Sequence, residues 1–202
     1  LRRNQAMLDA FYSLLPFSLT VAQEKALGEI LGDMELERPM SRLLQGDVGS
    51  GKTAVALAAL LSTVANGYQG ALMAPTELLA QQHFNSISLL MERLPRPTSQ
   101  GNWFSFYLNP FPRPFSIGIL IGSQSNKQKR EIQDMLAEGA LDMVVGTHAL
   151  LQQGVDIPSL ALAVVDEQHR FGVMQRASLR QKVETPHLLV MSATLDVATI
   201  ER

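Results

Sequence analysis

Apolar and polar residues follow a helical period in several parts of the chain. In residues 4–15 the apolar side chains are spaced three and four apart, which predicts an amphipathic helix that ends at Pro16. A second helix is predicted from Thr20, which is a suitable N-cap, to about Leu31. Further helices are predicted at residues 54–65, after Thr76 and at residues 127–138.

Short apolar runs between these helices predict strands, because a strand that is buried on both faces of a parallel sheet shows no polar alternation. Six such runs occur, one directly before Gly46 and the others at residues 70–74, 117–121, 141–145, 160–165 and 187–191. Strands that alternate with helices predict a single α/β domain of three layers with a mainly parallel central sheet. Ligands of such a domain bind at the carboxyl ends of the strands.

Residues 95–116 interrupt this rhythm. The segment holds five of the ten prolines, the single tryptophan and several other aromatic residues. This composition predicts an inserted surface loop with a short β-ribbon at residues 103–108, because proline disfavours helices and central strands. Aromatic residues beside Arg96 and Arg113 could stack on nucleic-acid bases. We favour the simpler interpretation, in which they pin a long loop to its own domain.

Composition limits the class of protein. With 202 residues and 46% hydrophobic content, the chain can bury the core of one domain. The net charge of −2 provides no basic field, so any contact with nucleic acid must come from local groups. The absence of cysteine excludes disulfides and thiolate metal sites and is typical of cytoplasmic proteins. No apolar run is long enough to cross a membrane.

The strongest motif lies at residues 46–53, which read G-x-x-x-x-G-K-T between a predicted strand and a predicted helix. This is the Walker A pattern in the context that it requires. Glycines let successive backbone N–H groups surround a phosphate, Lys52 places a positive charge on the β- and γ-phosphates, and Thr53 offers a hydroxyl to Mg²⁺. The predicted nucleotide-binding residues of this loop are Gly46, Asp47, Val48, Gly49, Ser50, Gly51, Lys52 and Thr53.

Two residues upstream of the loop are candidates for contacting the base of the nucleotide. The Gln23 amide can both donate and accept a hydrogen bond, as an adenine edge requires, and Phe17 could supply a flat apolar surface. Taken alone, they read as a polar helix residue and a core phenylalanine. The Walker A motif that follows favours the nucleotide-binding interpretation.

Two adjacent acids follow the buried strand at residues 160–165. Asp166 and Glu167 would be costly at the edge of an α/β sheet unless they held a cation or took part in acid–base chemistry. Beside a Walker A motif, we expect Asp166 to hold Mg²⁺ and Glu167 to polarise the water that attacks the γ-phosphate. The hydroxyls of Ser192 and Thr194 follow the last strand and could relay the state of the nucleotide.

Other strand ends carry small or hydroxyl residues that suit phosphate contacts. Pro75 and Thr76 precede a helix whose free N–H groups could hold a nucleic-acid phosphate, although a plain strand-to-helix turn is an equal alternative. Gly146 and Thr147 end another strand. His148 could be a cap or a satisfied polar group, and no second histidine or carboxylate at ligand spacing supports a metal site there.

Taken together and in order, the stretches FSLT with Gln23, GDVGSGKT, APTELLAQQH, GTHALL, DEQH and SAT resemble the conserved motifs of superfamily 2 helicases. VVDEQHRFGVMQR is most similar to RecG-type helicases, which remodel branched DNA; the related transcription-repair coupling translocases, the Mfd type, usually carry DEEH in this place. The resemblance implies a RecA-like fold, ATP and Mg²⁺ as cofactors and branched or forked DNA as partner. It also implies roles for individual residues. Gln23 would read adenine, and His169, Ser192 and Thr194 would couple hydrolysis to DNA movement. The DNA track would be lined by Pro75, Thr76, Gly122, Ser123, Gly146, Thr147 and His148.

The resemblance also predicts how the chain is divided. Residues 1–16 would be a linker helix from a preceding domain, residues 17–195 the ATP-binding lobe with its inserted loop, and residues 196–202 the start of a connection to a second lobe. The chain begins within a helical pattern and stops soon after a motif, which predicts a piece of a longer protein. The second RecA-like lobe and a wedge domain would then be its intramolecular partners. Leu195 to Ala198 replace the TPIPRT-like stretch that is usual in RecG-type helicases.

Three alternatives stay open at this stage. An Mfd-type translocase would differ by an RNA-polymerase-binding module elsewhere in its chain. A P-loop phosphotransferase would need a lid that binds the phosphate acceptor, and no such segment is evident. A non-catalytic nucleotide sensor is disfavoured by the presence of Lys52, Asp166 and Glu167.

Overall fold

The computed structural model describes residues 1–46, 51–95, 99–167 and 186–193. The helices are α1 (Gln5–Leu14), α2 (Val21–Met34), α3 (Lys52–Ala65), α4 (Glu77–Leu90) and α5 (Asn126–Ala137), with a 3₁₀ turn at His148–Leu151. The strands are β1 (Ser41–Gln45), β2 (Gln69–Met73), β3 (Ser99–Gln100), β4 (Trp103–Phe106), β5 (Phe115–Leu120), β6 (Met143–Gly146), β7 (Leu160–Glu167) and β8 (His187–Ser192).

One sheet contains all the strands of the described residues, in the order β1-β8-β7-β2-β6-β5-β4-β3. The pairs from β1 to β5 along this order are parallel, and the last two pairs are antiparallel. The carboxyl ends of the six parallel strands therefore lie along a single edge of the sheet. This edge is where the sequence predicted the ligands to bind.

Side chains of alternating positions on the strands pack into two cores, one on each face of the sheet. On β7, Leu162 and Val164 lie in the core shared with α1 to α4, whereas Ala163 and Val165 lie in the core shared with α5. The predicted three-layer α/β architecture with a mainly parallel sheet is confirmed.

The helix boundaries follow local capping chemistry. Thr20 caps α2 through a capping box with Gln23, and Ser125 caps α5 through a box with Gln128. Helix α2 continues to Met34, three residues beyond the predicted end. Helix α1 buries Met7, Leu8 and Phe11 in the same core as α3. No helix among the described residues is long and apolar enough to cross a membrane.

The proline- and aromatic-rich segment contributes to the sheet instead of lying outside it. Strands β3 and β4 extend the parallel sheet by antiparallel pairing, and β4 covers most of the β-ribbon that the sequence predicted. The aromatic residues form a contact chain with ring centroids 4.4 to 6.0 Å apart. Its members are Phe84, Phe104, Phe106, Phe115 and Phe111. These aromatic residues pin the segment to its own domain, which was the favoured alternative.

Arg113 of the same segment forms an ion pair inside the domain. Its guanidinium donates to both carboxylate oxygens of Asp142, over 2.9 and 2.7 Å, and stacks on Phe111 at 5.2 Å from the ring centroid. The Asp142 side chain is 6% exposed and also accepts a hydrogen bond from the Ser116 backbone N–H. The hydrogen bond to Asp142 is the main reason that the pKa of Arg113 is raised above its ordinary value, against the opposing effect of burial.

We expect Arg113→Ala to lower the free energy of unfolding by roughly 2 kcal/mol. The change leaves a buried carboxylate without its charge partner, and the loss is below that of a fully buried pair because the arginine is half-exposed. Urea denaturation followed by circular dichroism measures it. Arg130→Ala, on the exposed face of α5, is the matched control. If the two variants unfold at the same urea concentration, the ion pair is unimportant for stability. Adding Asp142→Asn to Arg113→Ala should recover part of the lost free energy of unfolding.

His187 joins the amino ends of β8 and β1. Its Nδ1 accepts a hydrogen bond of 2.9 Å from the Met40 backbone N–H, so the imidazole must be unprotonated at this nitrogen. Burial is the main cause that lowers the pKa of His187, and the positive chain amino group adds to it, while Asp33 acts in the opposite direction.

We therefore expect the stability of the chain to fall as the pH drops below about 6.5, the ordinary pKa of histidine. In that range the unfolded His187 binds a proton more readily than the folded one, so protons favour unfolding, with a slope of at most about 1.4 kcal/mol per pH unit. Thermal unfolding between pH 7.5 and 5.5 measures this dependence. In His187→Asn, whose carbonyl can still accept from Met40, the slope should shrink. His148→Asn, at an exposed histidine, should keep it. Equal slopes in all three proteins would contradict the expectation.

Candidate functional site

The described ends of the Walker A loop lie between β1 and α3. Gly46 follows β1 directly, and Gly51 is the N-cap of α3 with a φ of +80°. This conformation suits glycine, because a side chain there would be strained. A Cβ at Gly51 would also collide with the Gln23 amide. Lys52 and Thr53 therefore begin α3, with the free N–H groups of its first turn available to a phosphate.

Lys52 connects this loop to the neighbouring strand. Its ammonium group donates to the backbone carbonyls of Gly46 and Ser192, the latter over 2.9 Å. The Gly46 N–H also donates to the Ser192 carbonyl, over 3.2 Å. A strongly hydrated ammonium is thus held by two carbonyl dipoles, at the place where the motif expects it to meet phosphate oxygens.

The two acids end the next strand along. In the pairing of β1, β8 and β7, Gln45 lies opposite Ser192, and Ser192 lies opposite Glu167. Neighbouring strands are about 4.8 Å apart, so the start of the loop and the acids are separated by about two strand spacings. Asp166 is buried, and Glu167 is partly exposed. The tertiary structure brings together Lys52, Ser192, Asp166 and Glu167, which the sequence proposed separately.

An open cleft of about 430 Å³ adjoins the loop. The described residues that line it are Thr20, Ala22, Gln23, Ala26, Leu44, Gln45, Gly46, Lys52 and Val55. Its size falls within the range of small-molecule sites, and it joins the amino end of α2 to the Walker A residues. Three of these lining residues, Gln23, Gly46 and Lys52, were among the nucleotide-binding residues proposed from the sequence. The small side chains Ala22 and Ala26, which leave room in the cleft, were missed.

The two candidates for contacting the base are placed differently. Gln23 lies in the cleft, where its carbonyl oxygen accepts the Thr20 backbone N–H over 2.9 Å in the capping box. Phe17 precedes α2 with its side chain 48% exposed, and it is not among the described residues that line the cleft. The stacking role of Phe17 and the adenine contact of Gln23 stay predictions.

Asp166 has a partner that the sequence did not reveal. Its Oδ2 lies 2.7 Å from Nε2 of His83, and the two side chains are 10% and 14% exposed. The sequence signal was limited to the helical period of α4, in which Ala80, Phe84 and Ile87 are buried and His83 lies beside them. A histidine beside the buried face of an amphipathic helix indicates a polar contact inside the protein, but the sequence does not predict which residue is its partner.

The proposed DNA-contacting residues also come together at this edge of the sheet. They lie at or just after the carboxyl ends of β2, β5 and β6, which are neighbours in the sheet. In register, Met73 lies opposite Gly146, and Gly146 lies opposite Leu120. The edge therefore has two halves, one formed by β1, β8 and β7 with the nucleotide candidates and one formed by β2, β6 and β5 with the phosphate candidates.

Local contacts in the second half are specific. Thr76 caps α4 by accepting the Leu79 N–H, and the carboxylate of Glu77 accepts the Ser123 N–H over 2.9 Å. A Cβ at Gly122 would come 2.9 Å from the same carboxylate, so a side chain there would crowd Glu77. A phosphate that is to be held by the Ser123 N–H must therefore displace Glu77 or share this donor with it. Pro75 stands directly before this cap.

The end of β6 has little space. A Cβ at Gly146 would lie 2.6 Å from the Leu120 carbonyl, so glycine is required there for close strand packing whatever its role in binding. Thr147 is buried and accepts the Ala149 N–H over 3.4 Å, as the N-cap of the 3₁₀ turn. His148 is exposed at the start of this turn.

Six of the proposed site residues lie outside the described residues. They are Asp47, Val48, Gly49, Ser50, His169 and Thr194. Their assignments therefore stay predictions. Ser192 is described: it is buried, and its hydroxyl donates to the Ala193 carbonyl over 2.9 Å.

The oxygen donors of this edge suit Mg²⁺. Thr53 and Asp166 offer a hydroxyl and a carboxylate, and Mg²⁺ typically binds one or two protein oxygens while phosphates and waters complete its shell. No group of three or more histidine, cysteine or acidic side chains that could hold a metal is found in the described part of the chain. This donor set fits a cation that arrives with a nucleotide better than a permanent metal centre.

Comparison with known proteins connects this geometry to a family. A sequence model described as "DEAD/DEAH box helicase" matches residues 20–202. The protein called ATP-dependent DNA helicase RecG from Streptococcus pneumoniae is 47% identical over 191 residues, which are 95% of this chain and 25% of the relative. The protein of the same name from Bacillus subtilis is 47% identical over 193 residues, 96% of this chain and 26% of the relative. The resemblance to RecG-type helicases is confirmed.

Solved structures of other proteins share the fold of this chain. The structure described as RecG bound to a three-way DNA junction has a TM-score of 0.74 and 37% identity, covering 96% of this chain and 23% of that one. A Saccharomyces cerevisiae Dbp5 complex has a TM-score of 0.63 at 18% identity, covering 97% of this chain and 48% of that one, which supports the fold alone. The RecA-like fold is thereby confirmed. The chain spans about a quarter of the length of the RecG relatives.

Proposed function

The chain belongs to the DEAD/DEAH box helicase family, and from this membership we propose that it is the ATP-binding motor lobe of a RecG-like DNA helicase. In the whole protein, ATP hydrolysis would drive translocation on duplex DNA and the remodelling of branched DNA or stalled replication forks in recombination and repair. The observation that carries this proposal is the row formed by Lys52, Ser192 and Glu167 across β8 and β7. The RecG relatives favour it over an Mfd-type translocase or a phosphotransferase.

The described residues support a separate role for each side chain near the nucleotide. Lys52 would exchange its two carbonyl partners for phosphate oxygens, Gln23 would contact adenine in the cleft, and Glu167 would polarise the attacking water. Thr53 and Asp166 would hold Mg²⁺, which when bound neutralises phosphate charge. His169, Ser192 and Thr194 would report the state of the nucleotide to the DNA-contacting half.

The second half of the edge would contact the DNA backbone. Pro75, Thr76, Gly122, Ser123, Gly146, Thr147 and His148 offer N–H and hydroxyl groups in place of a basic field, in keeping with the net charge of −2. Branched or forked DNA is the proposed partner, together with a second RecA-like lobe and a wedge domain in the same polypeptide. The RecG relatives described above come from bacteria, in which the DNA lies in the cytoplasm, so the protein would act there.

The division of the chain that the sequence suggested is retained as part of this proposal. Residues 17–195 would form the lobe, residues 1–16 would lead in from a preceding domain, and residues 196–202 would lead to the second lobe. Since α1 shares its core with α3, we expect this leading helix to move with the lobe as one unit.

Titration of a fluorescent ATP analogue with Mg²⁺, with and without forked DNA, tests the proposal. We expect saturable binding and slow hydrolysis, because a second lobe usually supplies an arginine that accelerates such reactions about 10³-fold or more. Absence of binding would contradict a nucleotide-binding lobe. Phosphate transfer to a small acceptor would favour a phosphotransferase instead, and rapid DNA-stimulated turnover by this chain alone would show that no second lobe is needed.

A further inference from the structure

The hydrogen bond between Asp166 and His83 connects the nucleotide-binding half of the edge to α4. The two residues are 83 positions apart in sequence, and each lies on a rigid element: Asp166 near the end of β7 and His83 in the second turn of α4. Nε2 of His83 lies 2.7 Å from Oδ2 of Asp166, within hydrogen-bonding distance. It forms where both side chains are largely shielded from water.

The packing of α4 gives the imidazole a defined position. The helix rests on the sheet through Ala80, Phe84 and Ile87, which are 0%, 6% and 2% exposed. His83 lies next to Phe84 and one turn after Ala80, so its ring leaves the helix towards the sheet. Because a packed helix does not rotate freely, the direction of Nε2 towards β7 is fixed by the core and not by the histidine alone.

A carboxylate that is to hold a cation must be oriented. The terminal torsion of aspartate is broad, so an unrestrained Asp166 would sample many directions of its two oxygens. A donor bound to Oδ2 restricts this rotation and gives Oδ1 a defined direction. Partners of this kind behind a metal ligand typically change metal affinity by about 10- to 100-fold when they are removed.

Resting on the proposed function, we propose that His83 is a positioning residue for the Mg²⁺ site. It donates from Nε2 to Asp166 and orients the carboxylate that receives the cation with the nucleotide. It touches neither the nucleotide nor the reacting water.

The experiment measures cation affinity directly, with Mn²⁺ as the probe. Electron paramagnetic resonance counts free Mn²⁺ during titration of this chain in complex with a non-hydrolysable ATP analogue. Two amide variants that differ by one methylene are compared. In His83→Gln the amide nitrogen can reach the place of Nε2, whereas in His83→Asn it is too short. Ser86→Asn, exposed on the same helix, is the control.

We expect the Mn²⁺ affinity to fall about 10-fold in His83→Asn, to recover to within about 3-fold of wild type in His83→Gln, and to be unchanged in Ser86→Asn. Nucleotide affinity measured without a divalent cation should be the same in all four proteins, which a general loss of structure would not produce. If His83→Asn fails to fold, His83→Leu takes its place in the comparison.

Three results would overturn the inference. Wild-type affinity in His83→Asn would show that Asp166 needs no partner. Equal losses in His83→Asn and His83→Gln would show that the donor is not what matters. If wild type binds no nucleotide at all, the proposed function fails and this inference fails with it, whereas the first two results leave the proposed function intact.

Discussion

Lys52→Ala is expected to weaken nucleotide binding at least about 100-fold. The ammonium group stands at the amino end of α3, between the carbonyls of Gly46 and Ser192, and is the charged donor of the described loop ends. A charge pair at 4 Å contributes about 4 kcal/mol at the effective dielectric constant of a protein surface, and part of this gain is offset by desolvation of the lysine. A net loss of roughly 3 kcal/mol corresponds to the predicted factor.

The measurement is a titration of a fluorescent ATP analogue with Mg²⁺. Lys127→Ala, which removes an exposed lysine at the start of α5, is the matched control and should bind as wild type does. Lys52→Ala also loses two hydrogen bonds to carbonyls, each of which contributes about 1 kcal/mol to stability. Thermal unfolding must therefore show that the variant is folded at the temperature of the titration. Affinity within threefold of wild type would remove Lys52 from the site.

Glu167→Gln is expected to keep nucleotide binding and to slow hydrolysis by about 10²- to 10⁴-fold. Glutamine preserves the shape of the side chain but cannot polarise water as a carboxylate does, and general-base catalysis usually contributes a factor of this size. Glu167 ends β7 beside Ser192, one residue after the proposed cation ligand. Because an ionised carboxylate accepts but does not donate hydrogen bonds, it would not hold the phosphates itself, and binding should persist.

Because slow turnover is expected in this chain, the reaction is followed as a single turnover, with the protein in excess over radiolabelled ATP. Glu138→Gln, at the exposed end of α5, is the control and should hydrolyse at the wild-type rate. Unchanged hydrolysis in Glu167→Gln would show that another group activates the water. Lost binding would instead give Glu167 a role in holding the nucleotide.

Much of the fold could be predicted from local patterns. Backbone conformation and helix capping depend on near neighbours, so a few adjacent residues are enough to predict such features. Examples are the Walker A loop, the helix caps at Thr20 and Thr76, and the buried strand before Asp166. Lys52 and Glu167 were likewise identified as site residues from short motifs of adjacent residues. Their placement on one edge followed from the parallel sheet and is now seen in its register.

Residues 95–116 show where such patterns fail. Prolines and aromatic residues in this segment are typical of a loop, and the prolines indeed lie outside β3 and β4, whereas three of the aromatic residues lie within β4. The side chains of Phe104 and Phe106 are buried because β4 pairs with β5. The hydrophobic pattern of the segment itself does not predict this pairing. Arg113 lies beside aromatic residues that were considered for stacking on nucleic-acid bases, and its partner Asp142 is 29 positions away in sequence, so no local pattern predicts the pair.

A phosphate-binding loop, two acids and a set of buried strands can be predicted from the sequence, since each depends on residues that are adjacent in the chain. The position of β8 between β1 and β7 and the contact of His83 with Asp166 are visible only in the folded domain. The physical reason is that strand order and buried polar pairs are selected by packing of the whole core, in which residues far apart in sequence compete for the same neighbours.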